Sequence, residues 1–519
     1  MLFNSYFFIF IFLPIALLGF HFIGKRGLHR LAISWLIGAS LFFYGWWNPA
    51  YLILIIISIV FNYTVGAFLC KKQNKAILIF GISINIGLIG YFKYANFFVD
   101  NFNMLINVNL YIDQIVLPLA ISFFTFQQIT YLVDAYRGLT KEYNFLHYCL
   151  FVTFFPQLIA GPIVHHKEML PQFEKKILYK LKSYHLAIGI TIFALGLFKK
   201  VVFADSISIY ATLVFEAAES GVALTIFEAW AGALAYTLQL YFDFSGYSDM
   251  AIGIARMFGI VLPVNFFSPY KANSIIDFWR RWHITLSRFL RDYLYIPLGG
   301  NRKGRTRRYT NLMITMLLGG FWHGAGWTFI IWGAMHGVFL LINHGWRLIA
   351  NKINISSREL TLIGSFFGRF ATFVAVVIAW VMFRAESLNG ARGMYSGMFG
   401  FNGISLPSWA ESNWGSLVET LKLLGVNVNF GLFHNGFFSP AKDGLLLLLS
   451  MLLIVWFSPN TLEWLRYEKP ALGLDILLKK RNINLAWKPN IVFSIVITAI
   501  AVIAIMFIQQ ESEFLYFQF

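Results

Sequence analysis

Three histidines and a run of cations carry the chemistry that can be read directly from this chain. His283, His323 and His336 fall within 277–337, together with Arg302, Lys303, Arg305, Arg307 and Arg308. The histidines match no H-x-x-x-H metal pattern and no acidic residue completes such a motif with them, so no metal is expected. A neutral imidazole in a half-dry pocket can instead take a proton from a hydroxyl. His323 is the best placed for this, because Gly319, Gly320, Gly324 and Gly326 interrupt the apolar run around it. Irregular backbone at membrane depth is tolerated only beside protein or a water-filled cavity. Amides exposed near those glycines, or the indole N–H groups of Trp322 and Trp327, would serve a developing oxyanion. The plainer alternative, a histidine bridging two helices, stays open on residue physics alone.

His283 and the basic loop read more simply. Ser274 and Asp277 form a capping signature, so a helix should start at 274. Trp279, Trp282, Leu286 and Phe289 then make an apolar seam along it, with Arg281, Arg288 and Arg291 opposite. His283 lies beside that seam, where a packed, hydrogen-bonded role is the default. His336 is expected to be structural or to line a tunnel. The loop 299–308 is first a cytoplasmic topology signal. Its glycine amides with Arg302, Lys303 and Arg305 would also hold the phosphates of a nucleotide-type donor, although the spacing is no P-loop. No serine nucleophile elbow, Walker loop or dinucleotide fingerprint is present.

The elements that must position these residues are membrane helices. Of 519 residues, 58% are hydrophobic and 13% charged, with a mean hydropathy of +0.66. A soluble domain carries about a quarter charged residues. The composition therefore implies an all-α polytopic membrane protein in the lipid bilayer, with roughly 10–12 spans. The net charge of +17 sits in short loops, where it sets orientation and implies no nucleic acid. By that rule the N-terminus lies outside and the loops at 25–30 and 71–75 face the cytoplasm. Cys70 and Cys149 border apolar runs, so no disulfide framework is expected.

Several stretches carry polar groups inside apolar context. The run 116–133 holds Gln127 and Gln128, and 145–164 holds Pro156, Gln157 and Pro162; packing and tunnel-lining readings are both open. Lys167 to Lys182 reads as an interfacial helix. Lys199 and Lys200 read as a boundary between apolar runs. Asp243 and Asp249, with Ser245 and Ser248, read as capping a broken helix or lining a polar site. The stretch 385–440, with Trp409 and Trp414, is the one large enough for an extramembrane cap, placed on the outer side. Lys479, Lys480 and Arg481 separate the last two apolar runs.

Together these motifs resemble the membrane-bound O-acyltransferase family. The resemblance rests on DFWRRWHITLS (277–287), YIPLGGNRKG (295–304), GGFWHGAGWTF (319–329) and WGAMHG (332–337). LPLAISFFTFQQITYLVDAYRG (117–138), FFPQLIAGPI (154–163), YFDFSGYSDMAIGIARMFG (241–259) and FLYFQF (514–519) are similar to its bacterial polysaccharide O-acetylating branch. The resemblance implies one membrane domain over 1–519, with interfacial and re-entrant helices around a central tunnel. It implies His323 as the essential base and His283 as the second polar position of the site. It also implies a cytoplasmic acetyl donor, acetyl-CoA, with no tightly bound cofactor. The acceptor would be an extracytoplasmic polysaccharide such as alginate, reached through an extracytoplasmic acetyltransferase partner, with the protein in a bacterial inner membrane. D-alanyl transfer to teichoic acid by the same family and a transporter or flippase are the competing readings. The absence of a visible repeat counts against the second.

Overall fold

In a bilayer the backbone must satisfy its own hydrogen bonds, so apolar segments of this length form helices. The computed structural model describes residues 1–140, 144–352, 363–406, 408, 410–431, 441–478, 486–509 and 515. Trp409, residues 432–440, the cluster Lys479, Lys480 and Arg481, and all of FLYFQF except Leu515 lie outside that set. Six described helices are long and apolar enough to cross a membrane: Phe8–Lys25, Ala50–Lys71, Lys75–Ile106, Ser183–Glu219, Trp327–Ala350 and Gly364–Arg384. Asp443–Phe457 and Ile491–Met506 are shorter apolar helices. Large side chains such as Phe10, Ile53, Ile57 and Phe367 face outward from these helices, as lipid-facing surfaces require. Among the described residues the strands are Ile404–Leu406 and Val428–Phe430, which pair in parallel. The protein is an all-α polytopic membrane protein.

The Ile226–Met257 helix is the axis of the fold. A capping box between Thr225 and Glu228 starts it, and nearly its whole length is buried inside the protein. It lies against Ser183–Phe198 at backbone contact. A Cβ on Gly196 would meet the Gly246 carbonyl at 2.6 Å, and one on Gly253 would meet the Gly189 carbonyl at 2.7 Å. Glycine at these positions is what lets the two membrane helices close.

Three expected features take a different form. The helix does not break at 241–249, because Asp243 and Asp249 face cations on a neighbouring helix. Lys200 Nζ lies 2.6 Å from Asp243 and 2.8 Å from Asp205, and Lys199 Nζ lies 2.6 Å from Asp249. Lys199 and Lys200 therefore do not mark a loop; a π-turn, Lys199–Ala204, carries the helix through them. The interfacial segment after Lys167 is also shorter than expected. It is a helix, His166–Phe173, followed by the 3₁₀ turn Lys176–Tyr179. Beside its start, His165 and His166 approach Asp134 at 3.9 and 3.6 Å, and Arg288 pairs with Glu168. Burial first, then the neighbouring His165 and Lys167 charges, pushes the His166 imidazole down to about 4. It therefore stays neutral at physiological pH.

Part of 385–440 folds as a small unit beside the bundle. Ser387 caps the Leu388–Met398 helix. Leu406, Ala410, Val418 and Val428 form a separate apolar cluster around the strand pair.

Candidate active site

The chain does not run as one helix from 274. Ser274 caps as expected, accepting from the Asp277 amide, but the helix ends at Trp279. His283 takes a left-handed backbone, φ 41°, and a second helix, Ile284–Leu290, starts after it. Histidine enters that region more readily than most residues, and surrounding structure must hold it there. Asn265 supplies the hold. Its carbonyl accepts from the Ile284 amide at 2.9 Å, and its Oδ1 accepts from the Thr285 hydroxyl at 2.8 Å and amide at 3.4 Å. His283 Nδ1 lies 3.1 Å from the same Oδ1. An oxygen that accepts from a backbone N–H is an acceptor, so His283 Nδ1 carries the proton and donates. Nε2 then holds the lone pair. Ile163 of the AGPI stretch donates its amide to the Thr285 hydroxyl at 3.0 Å. That stretch thus braces the bend, and Gln157 is tied to the Phe151 carbonyl at 2.6 Å.

Asn265→Leu removes three of these bonds at once and leaves the His283 tautomer unfixed. The expected outcome is a loss of about 1–3 kcal/mol of stability and a fall in acyl transfer at normal protein levels. Thermal melting and a transfer assay on the purified variant read the two effects separately.

His323 ends a different element. The Gly304–His323 helix begins at the basic loop, whose turns need positive φ at Gly299, Gly300 and Gly304. It stops at Gly324, which takes an extended backbone, φ −160°. The return helix, Trp327–Lys352, packs so closely that a Cβ on Gly320 would meet the Phe329 carbonyl at 2.3 Å. Helices leave their last carbonyls without intrahelical partners. Here Tyr94 donates to the Phe321 carbonyl at 2.8 Å. Lys93 donates to the Trp322 and His323 carbonyls at 2.6 and 3.0 Å.

The His323 side chain is buried among rings. Its centroid lies 4.9 Å from Trp322, 5.2 Å from Trp332 and 5.1 Å from Phe383. It also lines a cavity of about 120 Å³ with Lys93, Trp322, Trp47, Tyr51 and the 116–123 segment. The histidines converge through tryptophans. Trp322 lies 6.4 Å from His283, and Trp332 lies 4.8 Å from His336. His283 and His336 are fully buried and do not line the cavity. His336 packs on Trp279 at 5.1 Å and Phe278 at 6.0 Å. The buried Trp322 and Trp332 indole nitrogens have no hydrogen-bond partner among the described residues. Such groups are uncommon and call for an explanation.

Arg302, Lys303 and Arg305 are not brought to His323. They sit at the opposite end of its 20-residue helix, roughly 30 Å away at 1.5 Å per residue. Sequence reasoning missed Lys93, Tyr94 and Asn265. A lysine at the end of an apolar run was the one available signal for the first. Nothing marked the others, because their partners are distant in sequence. Among the described residues no three His, Cys, Asp or Glu side chains group as a metal site.

This geometry sits within a recognisable sequence framework. Residues 114–383 match the model of the membrane-bound O-acyltransferase family. A peptidoglycan O-acetyltransferase of Helicobacter pylori is 47% identical, covering 78% of this chain and 81% of that protein. A probable alginate O-acetylase AlgI of Pseudomonas putida is 43% identical over 77% of this chain and 81% of its own length. A teichoic acid D-alanyltransferase of Streptococcus thermophilus is 28% identical over 51% of this chain and 68% of its own. With the histidine, the helix break and the family framework all in one segment, the chain belongs to the membrane-bound O-acyltransferase family and is a membrane-bound O-acyltransferase.

Proposed function

We propose that this enzyme takes an acetyl group from cytoplasmic acetyl-CoA and delivers it for O-acetylation of an extracytoplasmic polysaccharide, with His323 as the base. The observation that carries the reading is the placement of His323 on a cavity that Trp322 also lines, with the Trp332 ring packed on its other side and both buried indole N–H groups without a partner among the described residues. An acceptor hydroxyl attacks the thioester carbonyl and gives its proton to the imidazole. The carbonyl oxygen becomes an oxyanion, for which the Trp322 and Trp332 N–H groups are the candidate donors. Collapse expels the coenzyme A thiolate, which takes the proton back, and the ester and free thiol leave. His283 acts beside it, its tautomer set by Asn265.

Arg302, Lys303 and Arg305 meet the donor phosphates at the entry side in this scheme, and the donor then moves deeper to bring its thioester to His323. The positive-inside pattern supports that loop as the cytoplasmic side, in a bacterial inner membrane. A cavity of about 120 Å³ is well below the roughly 300–1,000 Å³ of pockets that enclose a drug-sized ligand. A slender arm fits it better than a glycan strand, which favours delivery through an extracytoplasmic partner subunit. The names of the relatives favour alginate or peptidoglycan as acceptor. The D-alanyl reading rests on relatives that match over about half of the chain.

The test uses inverted membrane vesicles containing this chain, its partner and the glycan, supplied with acetyl-labelled acetyl-CoA. Label is expected in alkali-labile esters on the glycan, and none in vesicles lacking the chain. Esters carrying D-alanine from its activated carrier, with no acetyl label, would replace this reading.

A further inference from the structure

We propose that Lys93 is a positioning residue of the transfer, acting through His323, an inference that rests on the role given to that histidine above. Lys93 sits in a π-turn, Gly90–Tyr94, set into the long apolar helix 75–106. Such turns inside helices recur at functional sites, because the extra residue redirects side chains. Here the turn presents two successive side chains, Lys93 and Tyr94, to the end of one foreign helix. Between them they cap three successive carbonyls, Phe321, Trp322 and His323. Tyr94 also stacks on Phe321 with centroids 4.1 Å apart. The Lys93 ammonium lies 5.7 Å from the Trp322 ring centre. The one turn whose backbone aims His323 is thus held by the lysine from outside its own helix.

Position explains the choice of a cation. The carbonyl end of a helix carries the negative pole of its dipole. Beyond His323 the chain leaves helical geometry at Gly324, so no further turn satisfies these carbonyls. A lysine offers three donors; two reach carbonyls, and the side chain lines the cavity next to His323. It is the one lysine or arginine among the described residues lining that cavity. An intramembrane charge is expensive and persists where it has partners and a task. Anchoring alone would be met by an amide or hydroxyl. The charge instead strengthens both carbonyl bonds and holds the imidazole at the cavity wall through successive turnovers.

Lys93→Met keeps most of the length of the side chain and removes the charge and all donors. Loss of charge-assisted bonds that hold the reacting geometry is expected to lower kcat about ten- to a hundredfold. The KM for acetyl-CoA should stay near wild type, because the donor end lies elsewhere. Lys93→Arg, which retains charge and donors, should recover most of the rate. The double variant with His323→Ala should be no slower than His323→Ala alone, since both act through one group. Monodispersity and melting temperature in detergent establish that each variant is folded. If Lys93→Met does not fold, Lys93→Gln replaces it and should also lower kcat, by a smaller factor. The proposal is overturned if a folded Met or Gln variant keeps wild-type kcat, or if KM moves in place of kcat. It is equally overturned if arginine rescues nothing, or if Lys93→Met slows the His323→Ala enzyme by its full factor. A fully active His323→Ala enzyme sinks the base assignment itself, and with it any route from Lys93 through that group.

Discussion

Replacing His323 by alanine is expected to lower acetyl transfer by about two to four orders of magnitude, the range a positioned general base contributes. Protein levels and membrane insertion should remain normal. The ring touches Trp322, Trp332 and Phe383, so alanine also leaves a void and costs some stability. His323→Gln fills much of that void and still cannot serve as the base, so its loss of rate reports on proton transfer. His336→Phe is the control for the aromatic cluster. His336 is buried in the same tryptophan nest but lies off the cavity, and phenylalanine suits its apolar surroundings. That variant should keep transfer. The readouts are ester content of the cell-surface glycan and single-turnover acetyl transfer by the purified enzyme. Persistence of the ester in both His323 variants, with normal protein levels, would remove the histidine from the chemistry.

His323 was legible because its signal is local. Four glycines around one histidine inside an apolar run announce a break, and the helix does end there. Much of the fold was legible for the same reason, since hydropathy alone separates the long apolar helices. What stayed hidden depends on partners far along the chain. The seam of Trp279, Trp282, Leu286 and Phe289 has helical spacing, yet the backbone turns left-handed at His283. Asn265, eighteen residues earlier, outcompetes helical hydrogen bonding there. Nothing in the sequence singles out the role of Lys93, because the carbonyls it meets belong to a helix about 230 residues away. The basic loop is legible in another way: its composition marks it as a topology signal and a candidate phosphate site, and the helix that follows separates it from His323.

Lys199 and Lys200 make the same point with larger energies. Read locally, two lysines end an apolar run. In the fold, Lys200 is 2% exposed and lies between Asp243, 1% exposed, and Asp205. Consecutive residues on a helix point about 100° apart, from 3.6 residues per turn. The π-turn at Lys199–Ala204 changes that phase, and both lysines reach carboxylates on the single Ile226–Met257 helix. Lys200→Met is therefore expected to cost about 3–5 kcal/mol, because it strands two buried carboxylates. Arginine should not substitute well, since its planar fork presents its donors differently from a compact ammonium. The stabilising partner experiment removes the charges together. Lys200→Met combined with Asp243→Leu and Asp205→Asn replaces a buried ionic cluster by neutral groups of similar volume, which is often neutral or favourable. Melting temperature in detergent should fall steeply for the single variant and return toward wild type for the triple. If the triple regains stability and transfers acetyl normally, the cluster is a structural strut. A triple that is stable but inactive would instead place the Lys200 charge in the reaction path, some way from the histidine that the rest of the geometry favours. A single variant that melts like wild type would show that these carboxylates are solvated in the membrane-embedded protein, against the burial seen here.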